Sequence, residues 1–288
     1  MKSRVYIIIS ALLWGITGLF VDYFSAIGFS SLQLVGFRAI LSAAIVGAWL
    51  IIKDKNLFKV KLKDLWLFFG SGVISFSVFA YLYYVSMAYN GLAIAAILLY
   101  TAPIFVAVLS VAIFKSKFDK YKASALILSV VGCVLVSGIF SGGNNSFELI
   151  GIIIGLGSGL GYALYSIFGK LATRKSYSGE TIAFYTFIFA AVFTLPLSLM
   201  ESIPKAATEP KNLIILLAYS LLTGALPYIF YTKGLEKTEP PTASIIATAE
   251  PMLAAVLGIT VLKQPIEPLA IVGILLIFAA LIICAKKS

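Results

Sequence analysis

The sequence predicts an all-α polytopic membrane protein whose ten transmembrane helices form two inverted five-helix repeats. Three observations predict it: an apolar composition, ten long apolar runs whose connectors alternate in basic charge, and one ungapped offset that registers the second half on the first. Of 288 residues, 61% are hydrophobic and 12% charged, with a mean hydropathy of +1.04. Soluble domains average roughly 45–50% apolar and about 25% charged residues. A hydrocarbon core about 30 Å thick takes about 20 apolar residues per helix, so the chain supplies roughly ten crossings and leaves little for a soluble domain. A cytosolic enzyme and a secreted binding module are thereby disfavoured. The net charge of +10 tracks the connectors, so membrane lipid and no nucleic acid is expected as a partner.

The runs lie at about 5–21, 31–52, 65–86, 93–114, 121–140, 149–169, 181–200, 212–232, 242–262 and 268–285, numbered here as spans 1 to 10. Span 1 follows Lys2 and Arg4, exceeds a signal-peptide core and has no small-residue cleavage site after it, so it is expected to stay in the mature chain. Span 2 carries Arg38, span 3 the tyrosines Tyr81, Tyr83 and Tyr84, and span 4 Tyr100 and Pro103. Span 5 is rich in small residues such as Ser129 and Gly132, which permit close helix approach. In span 6 the run Gly155-Leu156-Gly157-Ser158-Gly159-Leu160-Gly161 has no preceding strand and no adjacent lysine, so it reads as helix packing rather than a phosphate loop. Span 7 holds Tyr185 and Pro196, span 8 Pro227, Tyr228 and Tyr231, span 9 Glu250 and Pro251. Span 10 has no interior charge and, with span 5, reads as scaffold. Cys133 and Cys284 sit inside apolar runs and are expected to pack rather than to form a disulfide.

Lysine and arginine set the orientation, because cytoplasmic connections carry an excess of them. Alternate connectors and the termini hold 18 of the 22 basic residues, the opposite set holds Lys205, Lys211 and Lys263, and Arg38 lies inside a span. Both termini are therefore expected in the cytoplasm, with the chain in the plasma or bacterial inner membrane.

An offset of 148 residues sets Pro103 on Pro251, Lys115 on Lys263, Trp14 on Tyr162, Phe37 on Tyr185 and Tyr83 on Tyr231. It registers five spans on five spans, giving repeats at residues 1–145 and 146–288 of one transport domain. Five is odd, so the second repeat enters the bilayer from the opposite side. Repeats of this kind characterise secondary transporters, with a site near the midplane between them.

Interior prolines and charges point to the site. Pro103 and Pro251 remove the backbone partner of the carbonyls of Leu99 and Ala247, and interrupted segments at matching places in two halves mark a transporter's cavity. Arg38 and Glu250 each cost roughly 2.5–3.5 kcal/mol at a helix centre, a cost usually retained for function. Helical rise sets them about 8 Å apart along the bilayer normal. Snorkelling is the structural alternative for Arg38, and a protonated carboxyl hydrogen-bonded to a neighbouring helix is the alternative for Glu250. Trp14, Tyr83, Tyr162, Tyr185 and Tyr231 occupy repeat-related places within spans and, with Tyr100, are expected to wall the cavity, helix packing being the alternative. The substrate-binding set is thus Trp14, Arg38, Tyr83, Tyr100, Pro103, Tyr162, Tyr185, Tyr231, Glu250 and Pro251, with Glu250 also the proton-coupling residue. At the same offset Arg38 meets Thr186 and Glu250 meets Ala102, so the charges fit an asymmetric solute.

These features, with Trp14-Gly15, Phe37-Arg38 and the alanine-rich segments ending at Pro103 and Glu250-Pro251, resemble the EamA-type branch of the drug/metabolite transporter superfamily over essentially the whole chain. Phe114-Lys115 and Leu262-Lys263-Gln264 stand where that branch often has Gly-Glu, so a role for that carboxylate does not carry over. The resemblance implies a cavity among spans 1 to 4 and 6 to 9, and solutes such as amino acids, nucleobase-like metabolites or amphipathic drugs, often exported.

The expected function is a secondary carrier for a small organic metabolite working by alternating access, as a monomer, with no metal or cofactor. An export direction and proton coupling are the expected refinements. A membrane-embedded enzyme, and a channel or non-transporting scaffold, stand as alternatives. The spans hold one glutamate, one arginine and no histidine, a thin inventory for catalysis.

Overall fold

The structure is a computed structural model that describes residues 2–140, 148–263 and 267–286. Among these residues there are helices and turns and no strand, as a backbone that must satisfy its own polar groups in lipid requires. Nine helical stretches among the described residues are long and apolar enough to cross a bilayer: Lys2–Ala26, Ser31–Lys53, Leu62–Asn90, Leu92–Phe114, Leu149–Arg174, Gly179–Ser198, Pro210–Lys237, Pro240–Thr260 and Pro268–Ala285. The remaining predicted crossing, span 5, is the 17-residue helix Lys120–Val136. It ends short of residue 140 because the chain turns at Ser137 and Gly138 takes a positive φ of 79°. Gln264 and Lys287, the latter one of the 18 basic residues on the lysine-rich side, lie outside the described residues.

Several spans are not continuous α-helix. Span 4 breaks into Leu92–Leu99 and Ala102–Phe114, and span 9 into Pro240–Ala247 and Ala249–Thr260. Pro103 and Pro251 follow the breaks inside the first turn of the second piece, where a missing N–H costs least. Spans 3 and 8 widen to π-helix over Gly70–Val78 and Ser220–Ala225. Pro227 lies just beyond the second of these, but Phe79 stands at its counterpart, so proline is not what opens the helix.

The 148-residue offset recurs in backbone detail. The first pieces of spans 4 and 9 coincide at both ends under it, and span 3's π stretch contains the counterpart of span 8's. Ser30 and Ser178 each cap a helix by accepting the backbone N–H three residues on, both at 3.1 Å. Gly28 and Ser176 precede those caps with φ of 95° and 65°. Lys115 and Lys263 take φ of 54° and 57°, a left-handed cap that glycine holds without steric cost. Helices then restart at Lys120 and Pro268, again 148 apart.

Span 2 packs on span 7, span 5 on span 10, span 1 on span 8 and span 3 on span 6, with spans 4 and 9 completing the bundle. Every one of these pairings maps onto another, or onto itself, when span n is exchanged with span n+5. The glycines of span 6 are packing positions, as expected. A Cβ at Gly159 would lie 2.6 Å from the Leu98 carbonyl oxygen, and one at Gly155 would lie 2.4 Å from Leu98 Cδ1.

At the lysine-rich end, Glu180 Oε1 accepts from Lys53 Nζ and Lys233 Nζ, both at 2.7 Å. Asp64 there accepts from Lys175 at 2.6 Å and from the Tyr177 hydroxyl at 2.8 Å. Neutral contacts tie the opposite end, with Gln33 donating to the Ser202 carbonyl at 3.1 Å and Tyr23 to Asn212 at 2.6 Å. Cys133 and Cys284 are buried free thiols.

Candidate solute-binding site

The breaks in spans 4 and 9 face each other and leave a small cavity against span 6 and the end of span 8. Tyr100, Pro103, Tyr162, Tyr231 and Glu250 line it, together with Ser166 and Thr248. The broken helices supply the polar groups here. Thr101 and Thr248 turn their hydroxyls back onto the carbonyls of Leu98 and Ile245, at 2.6 Å each, carbonyls that also accept the threonines' own N–H groups.

The Glu250 carboxyl is held by one donor, the Tyr162 hydroxyl, at 2.9 Å from Oε2. The Tyr231 hydroxyl lies 2.7 Å from Ser166 Oγ on the same wall. Trp14 packs behind them, its ring centroid 6.3 Å from Tyr162, 5.4 Å from Tyr228 and 5.3 Å from Tyr231. Pro251 is buried beside the carboxylate. Tyr83 stands off the cavity wall, its ring 5.9 Å from that of Tyr84, within electrostatic range of Glu250.

Arg38 occupies a separate place. Its guanidinium lies over the Phe76 ring at 4.9 Å and the Tyr219 ring at 5.7 Å. Its Nε is buried with no hydrogen-bond partner, and among the described residues neither Arg38 nor Glu250 enters an ion pair. Between the two charges runs a continuous aromatic layer. Trp14 meets Tyr228, whose ring lies 5.7 Å from Phe76, the platform of Arg38. A cation stacked on aromatic faces gains about 0.5–2 kcal/mol, yet an unsatisfied buried donor costs about 1–3 kcal/mol. An acceptor arriving from solution would relieve that cost.

Of the ten expected residues, Tyr100, Pro103, Tyr162, Tyr231 and Glu250 line the cavity, Pro251 is buried next to Glu250, Trp14 and Arg38 contact the aromatic layer, Tyr83 stands off the wall, and Tyr185 lies elsewhere. Its hydroxyl donates to the Phe58 carbonyl at 2.6 Å and its ring packs on Phe68 and Phe184, at the lysine-rich end. Its counterpart Phe37 is likewise packed at the opposite end, against Phe29. Both point away from the centre because helix rotation turns these two places toward the end clusters. The sequence reading missed Phe76 and Tyr219 as the Arg38 platform, and Glu180 as the hub of two ion pairs. Repeat comparison gives no sign of Phe76, whose counterpart is Gly224.

A family model described as the EamA-like transporter family matches residues 1–138 and again 149–285. The chain belongs to this family. It is a multi-pass membrane protein and a transporter, and the EamA-like family implies a small-molecule substrate. The double match falls on the same two segments that the 148-residue offset relates. Among similar EamA-like relatives, an uncharacterized transporter of Clostridium kluyveri is 26% identical over 86% of this chain and 82% of its own. The uncharacterized transporter YwfM of Bacillus subtilis is 24% identical over 98% and 94%. The threonine/homoserine exporter RhtA of Escherichia coli is 28% identical over 74% of this chain and 68% of its own. A solved crystal structure, 15% identical, superposes with a TM-score of 0.82 over 99% of this chain and 96% of its own, a likeness of fold.

Proposed function

We infer that this EamA-like protein is a secondary carrier that exports a small organic metabolite, amino-acid-like in bearing both a carboxylate and a cationic or polar part. It works by alternating access across the plasma or bacterial inner membrane. The transport domain is two inverted repeats, residues 1–145 and 146–288, acting as a monomer with both termini in the cytoplasm and with no cofactor. Recurrence of caps, breaks and π stretches at one spacing supports the repeat, and the excess of basic residues on alternate connectors supports the orientation. A relative named for threonine and homoserine export favours the substrate class and direction.

One observation carries the reading: Glu250 opens into a cavity between two broken helices while Arg38, a cation with an unpartnered nitrogen, waits across the aromatic layer. Arg38 takes the carboxylate, and Glu250 takes a proton or the cationic part. The ionisable groups within electrostatic range of Glu250 are Arg38, Tyr83, Tyr100, Tyr162, Tyr228 and Cys133, of which Tyr162 donates to it directly. Glu250 is the carboxyl among them, hence the assignment of coupling to it.

In proteoliposomes, Glu250→Gln is expected to fold and to lose the pH dependence of transport. Unchanged pH dependence would remove Glu250 as the coupling residue. Saturable flux with counterflow of unlabelled solute is expected from a carrier, and its absence would favour a channel.

A further inference from the structure

A second cavity, of about 170 Å³, lies between spans 2, 3 and 7 and is walled almost entirely by apolar atoms. Its walls include Val35, Ala80 and Tyr84, and its mouth is edged by Tyr81, Phe193 and Leu197, which are 59%, 43% and 39% exposed on the outside of spans. Three of the wall residues connect it to Arg38. Val35 lies one turn before Arg38 on span 2, Ala80 one turn after Phe76 on span 3, and Tyr84 is within electrostatic range of the guanidinium. Residues three and four apart share a helix face. The cavity wall therefore lies one helical turn from Arg38, the intramembrane cation whose Nε is buried without a partner among the described residues.

We propose that this side cavity is a specificity subsite that receives the apolar part of a solute whose carboxylate is held by Arg38. The proposal rests on the carrier reading for the role of Arg38 and adds to it the chemistry of the rest of the solute. A guanidinium on two ring faces presents its remaining N–H groups edge-on, and a carboxylate takes such a fork in bidentate fashion. With the carboxylate fixed there, the substituent has a slot one helical turn away whose wall is almost wholly apolar, the Ser77 and Thr194 hydroxyls being turned onto the Gly72 and Ala190 carbonyls. The solute class is then a monocarboxylate with an aliphatic or aromatic substituent, favoured over small polar acids.

The test uses purified full-length protein and a series of straight-chain monocarboxylates from acetate to hexanoate, with n-alkylamines of matching length as controls for partitioning. Binding is read from ligand-induced thermal stabilisation. Each added methylene is expected to tighten binding about fourfold, the fold-change equivalent of roughly 0.8 kcal/mol, and the amines should show no such series. Val35→Phe should flatten the dependence on chain length, whereas Arg38→Gln should weaken every carboxylate by a similar factor. If Val35→Phe does not fold, Leu197→Trp at the mouth should flatten it instead. A flat series in the wild-type protein, or a dependence that survives both blocking variants, would overturn the proposal. So would native mass spectra in which a phospholipid retained by the wild type is lost in Val35→Phe, since the slot would then belong to a lipid chain. Counterflow reports separately: a chain-length series without counterflow would keep the subsite and remove the carrier, and counterflow with a flat series would do the reverse.

Discussion

The two halves carry matching backbone devices at a spacing of 148 residues and hang different side chains on them, most clearly in spans 2 and 7. Arg38 in span 2 lies over the rings of Phe76 and Tyr219. Its counterpart is Thr186, whose hydroxyl lies 2.6 Å from that of Ser71, and Ser71 is the counterpart of Tyr219. One contact of the bundle therefore exists twice, as a cation on an aromatic face in one copy and as a closed hydroxyl pair in the other. The first leaves a buried Nε without a partner, and the second leaves nothing over. Glu250 and its buried counterpart Ala102 differ in the same sense. The backbone sets where a solute fits, and departures from equivalence set what is recognised there.

Placing the second-half residue in the first half gives the largest expected effect. Arg38→Thr should lower the affinity for carboxylate solutes roughly 10- to 150-fold, the equivalent of about 1.5–3 kcal/mol for a hydrogen bond to a charged group. Folding should survive, because the variant also removes an unsatisfied buried donor. Ligand-induced thermal shift and counterflow in proteoliposomes measure it. An Arg38→Thr protein with wild-type affinity would break the comparison, since Arg38 would then be as structural as Thr186.

A second contrast lies in the π stretches. A Cβ at Gly72 would sit 2.4 Å from the Thr186 carbonyl oxygen and 3.0 Å from the Ala190 nitrogen, both backbone atoms. In the other stretch, a Cβ at Gly224, which the offset pairs with Phe76, would meet Ser42 Oγ at 2.1 Å, a side-chain end that can rotate away. Gly72→Ala should therefore destabilise by about 1–3 kcal/mol, the usual cost of overpacking. Gly224→Ala should cost about 0.5–1.5 kcal/mol, chiefly through loss of the 2.9 Å bond from Ser42 to the Ser220 carbonyl. Thermal unfolding in one detergent compares the two, and equal losses would show that both stretches tolerate displacement alike.

The gross fold was legible in the sequence because hydropathy reports spans directly. The 148-residue spacing was legible through Pro103 and Pro251, and through Lys115 and Lys263, whose shared left-handed backbone gives the identity a physical meaning. Glu250 and Arg38 stood out because charge inside a span is costly. What hydropathy does not carry is rotation about a helix axis. Tyr185 and Tyr231 look equivalent as intramembrane tyrosines, yet one faces the Phe58 carbonyl at the lysine-rich end and the other faces Ser166 at the cavity. The π stretches left no compositional mark, since Gly70–Val78 and Ser220–Ala225 share neither proline nor a common pattern. The Glu180 hub was hidden because its partners Lys53 and Lys233 come from spans 2 and 8, far apart in the chain.

Thr186→Val gives the smallest expected effect and the cleanest control on the asymmetry. It removes the hydroxyl opposite Ser71, but Ser71 Oγ keeps the Phe68 carbonyl at 3.2 Å, so no buried donor is orphaned. The loss should stay near 0.5–1.5 kcal/mol in unfolding free energy. Transport and its solute preference should not move, because a hydroxyl pair already closed on itself offers a solute nothing. A Thr186→Val protein that folded normally but changed its solute preference would mean that the second copy of this contact also faces the solute, and the division into one recognising half and one structural half would have to be redrawn.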